Sequence, residues 1–570
     1  MNILLVAINA KYIHSNLAVY NLKACSGKYE DNITIAEYTI NEYPEVILRE
    51  IYNHHPDLVA VSCYIWNITF VEEVFKDFNR ICPDIPIWVG GPEVSYESVR
   101  FLEEHPYITG VMRGEGEETF AELLNSYYDN EIKLSDLSGI TYRDKDGTIH
   151  DNGMRNLVNM DSIPFVYENI SDFKNKIIYY ESSRGCPFSC SYCLSSIDKK
   201  VRFRSMDKVK KELLFFINND VPQVKFVDRT FNCDRLRARQ IWQFLIDNDK
   251  GITNFHFEVG ADLLQEEDFE IFKNMRRGLI QLEIGVQSTN DKTLSEIRRT
   301  MDLDKLRDSV AHVLEHENIH QHLDLIAGLP YENFDSFRKS FKDVFEMKPN
   351  QLQLGFLKVL KGSYMYEMAE EYNIKYSAFP PYEVFSTKWI SYDEIIRLKG
   401  IEDMVEVYYN SDQFSYTLKE LLNKYDNPFD LFDELASFYK RKSYNRMSHS
   451  RMARYDILRE FVEYRFPDIL PDITELLIID LYARDNLKNR PLWAPDISKY
   501  KDEVYDFFRE EEKERRYLKG YEQYNFKQML KMTHMEIVDR QNGDRKVYLF
   551  DYINRNPINK EAEIIQINTD

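Results

Sequence analysis

KIIYYESSRGCPFSCSYC (176–193) is a short β-branched run that breaks at Gly185 into a loop carrying Cys186, Cys190 and Cys193. A strand followed by a loop of chemically active side chains marks the carboxyl end of a parallel α/β sheet, where such sheets hold their ligands. Five further runs of the same kind follow: QVKFVDR (223–229), NFHFEVGADL (254–263), LIQLEIGVQS (279–288), IHQHLDLIAGL (319–329) and LQLGFLKVL (352–360). Helix-length stretches separate them. Six strand-then-helix units predict a partial (β/α)6 barrel over 176–375, with its chemistry on the loops after the strands.

Upstream, NILLVAI (2–8), NITIAEYTI (32–40), LVAVSCYI (58–65), IPIWVGG (85–91) and ITGVMRG (108–114) alternate with amphipathic stretches. They predict a doubly wound, Rossmann-like parallel sheet over 1–155, closed by a hairpin at 139–152 around Lys-Asp-Gly. The polar stretch 156–175 reads as a linker. Beyond 375 the pattern becomes mainly helical, and MEIVDRQNGDRKVYLFDY (535–552) predicts a terminal β-hairpin turning at Asn-Gly-Asp. The fold class is therefore α/β, with a helical C-terminal domain over 376–570.

The 570 residues suffice for roughly three to five domains. A 44% hydrophobic content excludes global disorder. Net charge is −22, from 73 Lys+Arg against 95 Asp+Glu, so the surface repels phosphate backbones and anionic lipid, and neither nucleic acid nor membrane is expected as a partner. The basic segment KRKSYNRMSHSRMARY (440–455) reads as a solvated surface paired with the chain's own acids, with an anionic-substrate or RNA patch as the alternative. No apolar run approaches the ~18–20 residues that span a bilayer, and Ile3–Ile8 reads as a strand rather than a signal peptide. Seven cysteines are too few for a disulfide scaffold, so a reducing, cytoplasmic setting is expected.

Three thiolates on one loop hold three irons of a [4Fe–4S] cluster and leave the fourth iron open to a substrate or cofactor. Structural zinc needs a fourth protein ligand, and no Cys or His lies close enough in sequence to supply one. Cys25, Cys63 and Cys82 fall on a helix, inside an apolar strand and before a proline, which are places for core thiols.

The Cys-x3-Cys-x-aromatic-Cys spacing of Cys186, Cys190, Tyr192 and Cys193 resembles the radical S-adenosylmethionine enzymes. The resemblance covers about the first 370 residues and implies that the open iron chelates S-adenosylmethionine, whose reductive cleavage yields a 5′-deoxyadenosyl radical. It implies contacts to that cofactor from Tyr192, Asp228, Glu258, Gln287, Ser288, Arg299 and Gly328. Asp228 stands where relatives carry a Gly-Gly-Glu segment, and Arg299 where they carry an arginine that reaches the methionine carboxylate.

A doubly wound domain ahead of the barrel resembles the subgroup with an N-terminal cobalamin-binding domain. VSCYIWN (61–67), VGGPEVS (89–95) and VMRGEGEETF (111–120) are similar to its corrinoid-facing loops, which implies contacts from Ser62, Tyr64, Gly90, Gly91, Pro92, Gly114, Glu115 and Gly116. Glycines at 90 and 91 would let the backbone approach a flat macrocycle. The loop NAKYIHSNLA (9–18) lacks the Asp-x-His-x-x-Gly pattern, so His14 is not expected to ligate cobalt.

The implied function is methyl transfer to an unactivated carbon, with ring formation, contraction or oxidation also found among relatives. A low-potential donor such as a flavodoxin or ferredoxin is implied, and the substrate is an unidentified small molecule or peptide. Two alternatives stand. A radical enzyme without cobalamin is either methylthiotransferase-like, with a second cluster on Cys25, Cys63 and Cys82, or another rearrangement enzyme, and a non-enzymatic iron–sulfur redox protein would need a fourth cluster ligand.

Overall fold

The computed structural model describes residues 2–129, 131–539 and 545–567. The first sheet contains β1 (Ile3–Asn9), β2 (Ile33–Thr39), β3 (Leu58–Ser62), β4 (Ile87–Gly90), β5 (Gly110–Met112), β6 (Ile140–Arg143) and β7 (Ile149–Asp151), in the order β2-β1-β3-β4-β5-β6-β7. β1 to β5 are parallel, and β6–β7 is an antiparallel hairpin added at the edge after β5. Every residue of β1 and β3 is buried, as expected for strands covered on both faces. Helix Ile68–Ile81 packs Val71, Val74, Phe75 and Phe78 on one face with Val6, Val61 and Val89, while Phe120 and Leu124 of helix Glu117–Tyr128 join Leu5, Ala60 and Trp88 on the other.

The second sheet begins at β8 (Ile178–Tyr180). A two-stranded antiparallel ribbon, β9 (Ser183–Arg184) with β10 (Arg202–Phe203), follows and encloses the cysteine loop. The sheet continues through β11 (Gln223–Phe226), β12 (Asn254–Glu258), β13 (Ile280–Gln287), β14 (His320–Ala327) and β15 (Gln351–Phe356), in the order β15-β14-β13-β12-β11-β8. This is the expected open, six-stranded partial barrel. Along β12 and β13, buried Phe255, Phe257, Ile280, Leu282 and Ile284 alternate with His256, Gln281 and Glu283. The apolar set meets the surrounding helices, for instance Trp242 against Phe257, and the polar set lines the inner face.

Residues 156–175 are packed rather than free. Val158, Met160, Ile163, Tyr167 and Phe173 are buried, and the Tyr167 hydroxyl donates to Tyr179 O at 2.5 Å. Their irregular spacing hid them behind a polar composition.

The chain divides into two compact units, Met1–Phe337 with Gly355–Tyr392, and Arg338–Leu354 with Asp393–Asp570. The second unit is built on helices Pro428–Arg441, Arg451–Arg465 and Leu470–Arg484. Within it two of the six cations of the basic segment pair with acids, Lys442 to Glu460 at 2.6 Å and Arg451 to Asp485, while Arg441 lies over the Tyr464 ring. Strands Thr533–Asp539 and Arg545–Arg555 pair antiparallel as a hairpin would, and the Asn-Gly-Asp at its turn (542–544) lies outside the described residues. A third strand, Ala562–Ile567, joins them, which the sequence reading did not anticipate. No described helix is long and apolar enough to cross a membrane.

Candidate functional site

The cysteine loop is built by backbone constraints. Gly185 adopts φ +92°, and a Cβ there would lie 2.6 Å from Lys200 O, so only glycine fits where the chain leaves the ribbon. Cys186 N donates to Asp198 O at 3.1 Å, Ser191 N to Ile297 O at 2.9 Å, and the Ser196 hydroxyl to both Cys190 O and Cys193 O. All three cysteines are free thiols. Cys186 Sγ lies 3.7 Å from Thr230 Oγ1, and burial pushes its thiol up. Arg299 reaches the loop from the far side: Nη1 lies 3.6 Å from Cys190 Sγ and 3.5 Å from Tyr192 Oη, and Nη2 donates to Gly285 O. Among the described residues, no three Cys, His, Asp or Glu side chains converge as they would around one ion. The donor set itself, three free thiols on one loop with a guanidinium beside Cys190, fits an iron–sulfur cluster.

The strand ends around this loop differ in how open they are. Asp228 is fully committed inside the protein, where its carboxylate accepts from Ser182 N (2.8 Å), Ser182 Oγ (2.6 Å) and Ser183 Oγ (2.7 Å). It fixes the turn into the cysteine loop and is not free for a cofactor's amino group, which revises the expected contact. Burial pushes its carboxyl up from 3.8 to about 6 against those hydrogen bonds. Between about pH 4 and pH 6 the folded chain therefore holds more of this proton than the unfolded chain, and stability falls as pH rises through that window. Thermal unfolding of the wild type should lose stability relative to Asp228→Asn across that range. Parallel pH profiles for the two proteins would show that the proton is not taken up there.

Glu258 is bound by Arg229 Nη1 at 2.8 and 2.9 Å, a partner that sequence reasoning missed. β13 shifts register between Gly285 and Gln287, and Gln287 takes φ +73°. Such a bulge re-aims a side chain, and here the buried Gln287 Oε1 is left without a hydrogen-bond partner. A Cβ on Gly285 would meet Gln287 Nε2 at 2.3 Å, so the glycine makes room for it. Ser288 Oγ donates to Glu332 Oε1 at 2.9 Å, tying the ends of β13 and β14 together. Gly328 (φ +86°) closes against Val384. The unpartnered Gln287 oxygen and the Arg229–Glu258 pair at the ends of the barrel strands suit a polar cofactor. Deeper on the inner face, Lys225 and His256 both approach Glu283, at 3.0 and 2.9 Å. Burial raises the Glu283 carboxyl, but the His256 hydrogen bond and the Lys225 charge outweigh it and hold it below the usual range.

At the carboxyl edge of the first sheet, Ser62 accepts from Asn16 Nδ2 at 2.9 Å, and the Tyr64 and Trp66 rings stack 4.3 Å apart. The glycines are also required by the protein's own packing. A Cβ on Gly91 (φ +114°) would lie 2.4 Å from Cys63 O, and one on Gly90 would lie 3.3 Å from Met112 O, so both let neighbouring strand ends close up. Pro92 opens the short helix Pro92–Ser95. Gly114 (φ +72°) and Gly116 frame Glu115, whose two oxygens are taken by Arg202 (2.6 and 3.0 Å) and by Val158 N (2.7 Å). Glu115 is therefore not open to a corrinoid, a second revision. His14 Nδ1 lies 2.6 Å from Tyr179 Oη, which engages that nitrogen within the protein. The stacked Tyr64 and Trp66 rings beside the closely packed strand ends are compatible with a planar macrocycle. Cys63 and Cys82 belong to one apolar core and Cys25 to another, so these thiols do not form a second set.

Family models match three stretches of the chain: B12 binding domain over 3–124, Radical SAM superfamily over 180–344, and protein of unknown function (DUF4080) over 370–557. The chain is 26% identical over 309 residues to the cobalamin-dependent radical SAM methyltransferase TokK of Streptomyces tokunonensis, a match covering 51% of this chain and 45% of that protein. It is 23% identical over 484 residues to 2-(S-pantetheinyl)-carbapenam-3-carboxylate methyltransferase of Streptantibioticus cattleyicolor, covering 78% and 68%. The chain thus spans less than half of the first relative. In fold it is similar to the cobalamin-dependent S-adenosylmethionine radical enzyme OxsB with aqua-cobalamin and S-adenosylmethionine bound, with a TM-score of 0.59, 15% identity, and coverage of 84% of this chain and 78% of that one.

Proposed function

We propose that the chain, which matches the B12 binding domain over 3–124 and the Radical SAM superfamily over 180–344, is a cobalamin-dependent radical S-adenosylmethionine methyltransferase acting on an unactivated carbon. The observation that carries the reading is the loop of three free thiols directly after β9, with Arg299 Nη1 at Cys190 Sγ. When bound, the cluster supplies the electron that cleaves S-adenosylmethionine, and cobalamin supplies a transferable methyl group.

The protein's own share is placement. Cys186, Cys190 and Cys193 hold the cluster. Tyr192, Glu258, Gln287, Ser288, Arg299 and Gly328 surround S-adenosylmethionine, with Asp228 and Arg229 as positioning residues behind them. Ser62, Tyr64, Gly90, Gly91, Pro92, Gly114 and Gly116 form the cobalamin rim. His14 departs from the Asp-x-His-x-x-Gly pattern and its Nδ1 is engaged by Tyr179 Oη, so His14 would serve the packing of this loop rather than hold cobalt. Methyl transfer is favoured over the other radical chemistries because both relatives named above are methyltransferases by name. The substrate is a small molecule or peptide, electrons come from a flavodoxin or ferredoxin, and free thiols suit the reducing cytoplasm.

The test is composition after anaerobic reconstitution with hydroxocobalamin and gel filtration. About four irons and one cobalt per chain, with no nitrogen splitting in the cob(II)alamin spectrum, support the reading. Methyl-deuterated S-adenosylmethionine then traces the methyl group into a product. About eight irons without cobalt would overturn the corrinoid assignment and return the first domain to a second cluster.

A further inference from the structure

The ribbon that encloses the cysteine loop carries an unusual burden. In its antiparallel register Arg202 stands directly opposite Arg184, and like charges facing across a strand pair are destabilising. Their neutralisation comes largely from the first domain. Arg184 Nη2 lies 2.5 Å from Glu117 Oε1, and its Nη1 lies 3.4 Å from Glu115. Arg202 makes a two-pronged contact to Glu115 and donates to Val158 O at 2.7 Å. Glu181 and Asp198 complete the set from within the second domain. All four central groups are well shielded from water, with side-chain exposures of 15% and 12% for the arginines and 18% and 7% for Glu115 and Glu117. Paired, two-pronged contacts under such shielding carry more weight than surface ion pairs. Glu115 sits on the loop after β5 and Glu117 opens the helix that follows it (Glu117–Tyr128), at the carboxyl edge of the first sheet, where that fold binds its ligand.

We infer that Glu115 and Glu117 are positioning residues that bolt the cysteine-loop ribbon to the B12-binding domain, so that cobalamin binding and cluster binding favour each other in this chain. The inference rests on the reading that both cofactors are bound. Coupling of this kind is reciprocal, because whatever orders the shared clamp for one ligand lowers the cost of ordering it for the other.

Two measurements test it. The first is backbone hydrogen exchange over 184–203 in the cofactor-free chain. Exchange should rise about threefold or more in Glu115→Gln/Glu117→Gln, whose side chains keep their shape but lose their charge. Adding Arg184→Gln should bring it back toward wild type, because one of the two facing cations is then gone. Equal exchange in wild type and the double variant, or no recovery with Arg184→Gln, overturns the clamp.

The second is a hydroxocobalamin titration, followed by visible absorbance, with and without the reconstituted cluster. Wild-type affinity should differ by about fivefold between the two states, and the ratio should fall to about one in the double variant. A ratio that survives both substitutions overturns the coupling. Wild type that binds no cobalamin in either state sinks the functional reading along with the coupling, while hydrogen exchange still decides the clamp on its own.

Discussion

A Cys190→Ala variant should emerge from anaerobic reconstitution with less than about one iron per chain, against about four for wild type, and should form no 5′-deoxyadenosine above background. The expectation follows from ligand number. The loop offers three thiols, so removing one leaves two, too few to retain a cluster that already has one open iron. The loop itself should survive the change. Its shape is set by backbone hydrogen bonds and by Ser196, and none of these uses the Cys190 sulfur. Loss of iron would therefore report a lost ligand rather than a lost fold. Cys63→Ala is the matching control. Cys63 is wholly buried in the core of the first sheet, and its removal should leave the iron content at about four while costing about 1 kcal/mol of stability. A Cys190→Ala protein that keeps its full iron would remove this loop from the cluster and with it the functional reading.

The parts of the molecule legible in the sequence are those whose signal is local. Spacing within one loop set out Cys186, Cys190 and Cys193, and the succession of strand-like runs set out the two parallel sheets. What escaped was decided by partners distant in the chain. Glu115 looked like a ligand residue because it lies in a glycine-rich strand-end loop, yet its partner Arg202 is 87 residues away. Asp228 sits at a strand end where a cofactor contact is expected, but Ser182 and Ser183, 46 and 45 residues earlier, occupy it. Gly91 tolerates no side chain because Cys63 O, 28 residues earlier, fills the space a Cβ would need, a constraint that the local motif does not show. A motif records that a residue is constrained. Only the packed chain shows by what.

Arg299 offers the sharpest case, because two tasks compete for one side chain. Its place in the sequence assigns it to the methionine carboxylate, whereas its Nη1 lies 3.6 Å from Cys190 Sγ and its Nη2 donates to Gly285 O. A guanidinium donating to a cluster ligand stabilises the reduced, more negative cluster, so the arginine should raise the reduction potential. Hydrogen bonds to charged groups contribute about 1.5–3 kcal/mol, and the long contact to sulfur belongs at the lower end of that range. For a one-electron couple this corresponds to about 60 mV. Arg299→Met should therefore lower the potential by about 60 mV in an EPR-monitored titration without S-adenosylmethionine, at an unchanged iron content of about four. Arg299→Lys should recover only part of the shift, because a single ammonium cannot match the planar fork that serves sulfur and carbonyl together. Omitting the cofactor separates the two tasks: a potential that stays fixed while S-adenosylmethionine binding weakens would assign Arg299 to the carboxylate alone. A lowered potential means that the cation already acts on the cluster before the cofactor arrives, and that the electron donor is matched to a potential set partly by Arg299.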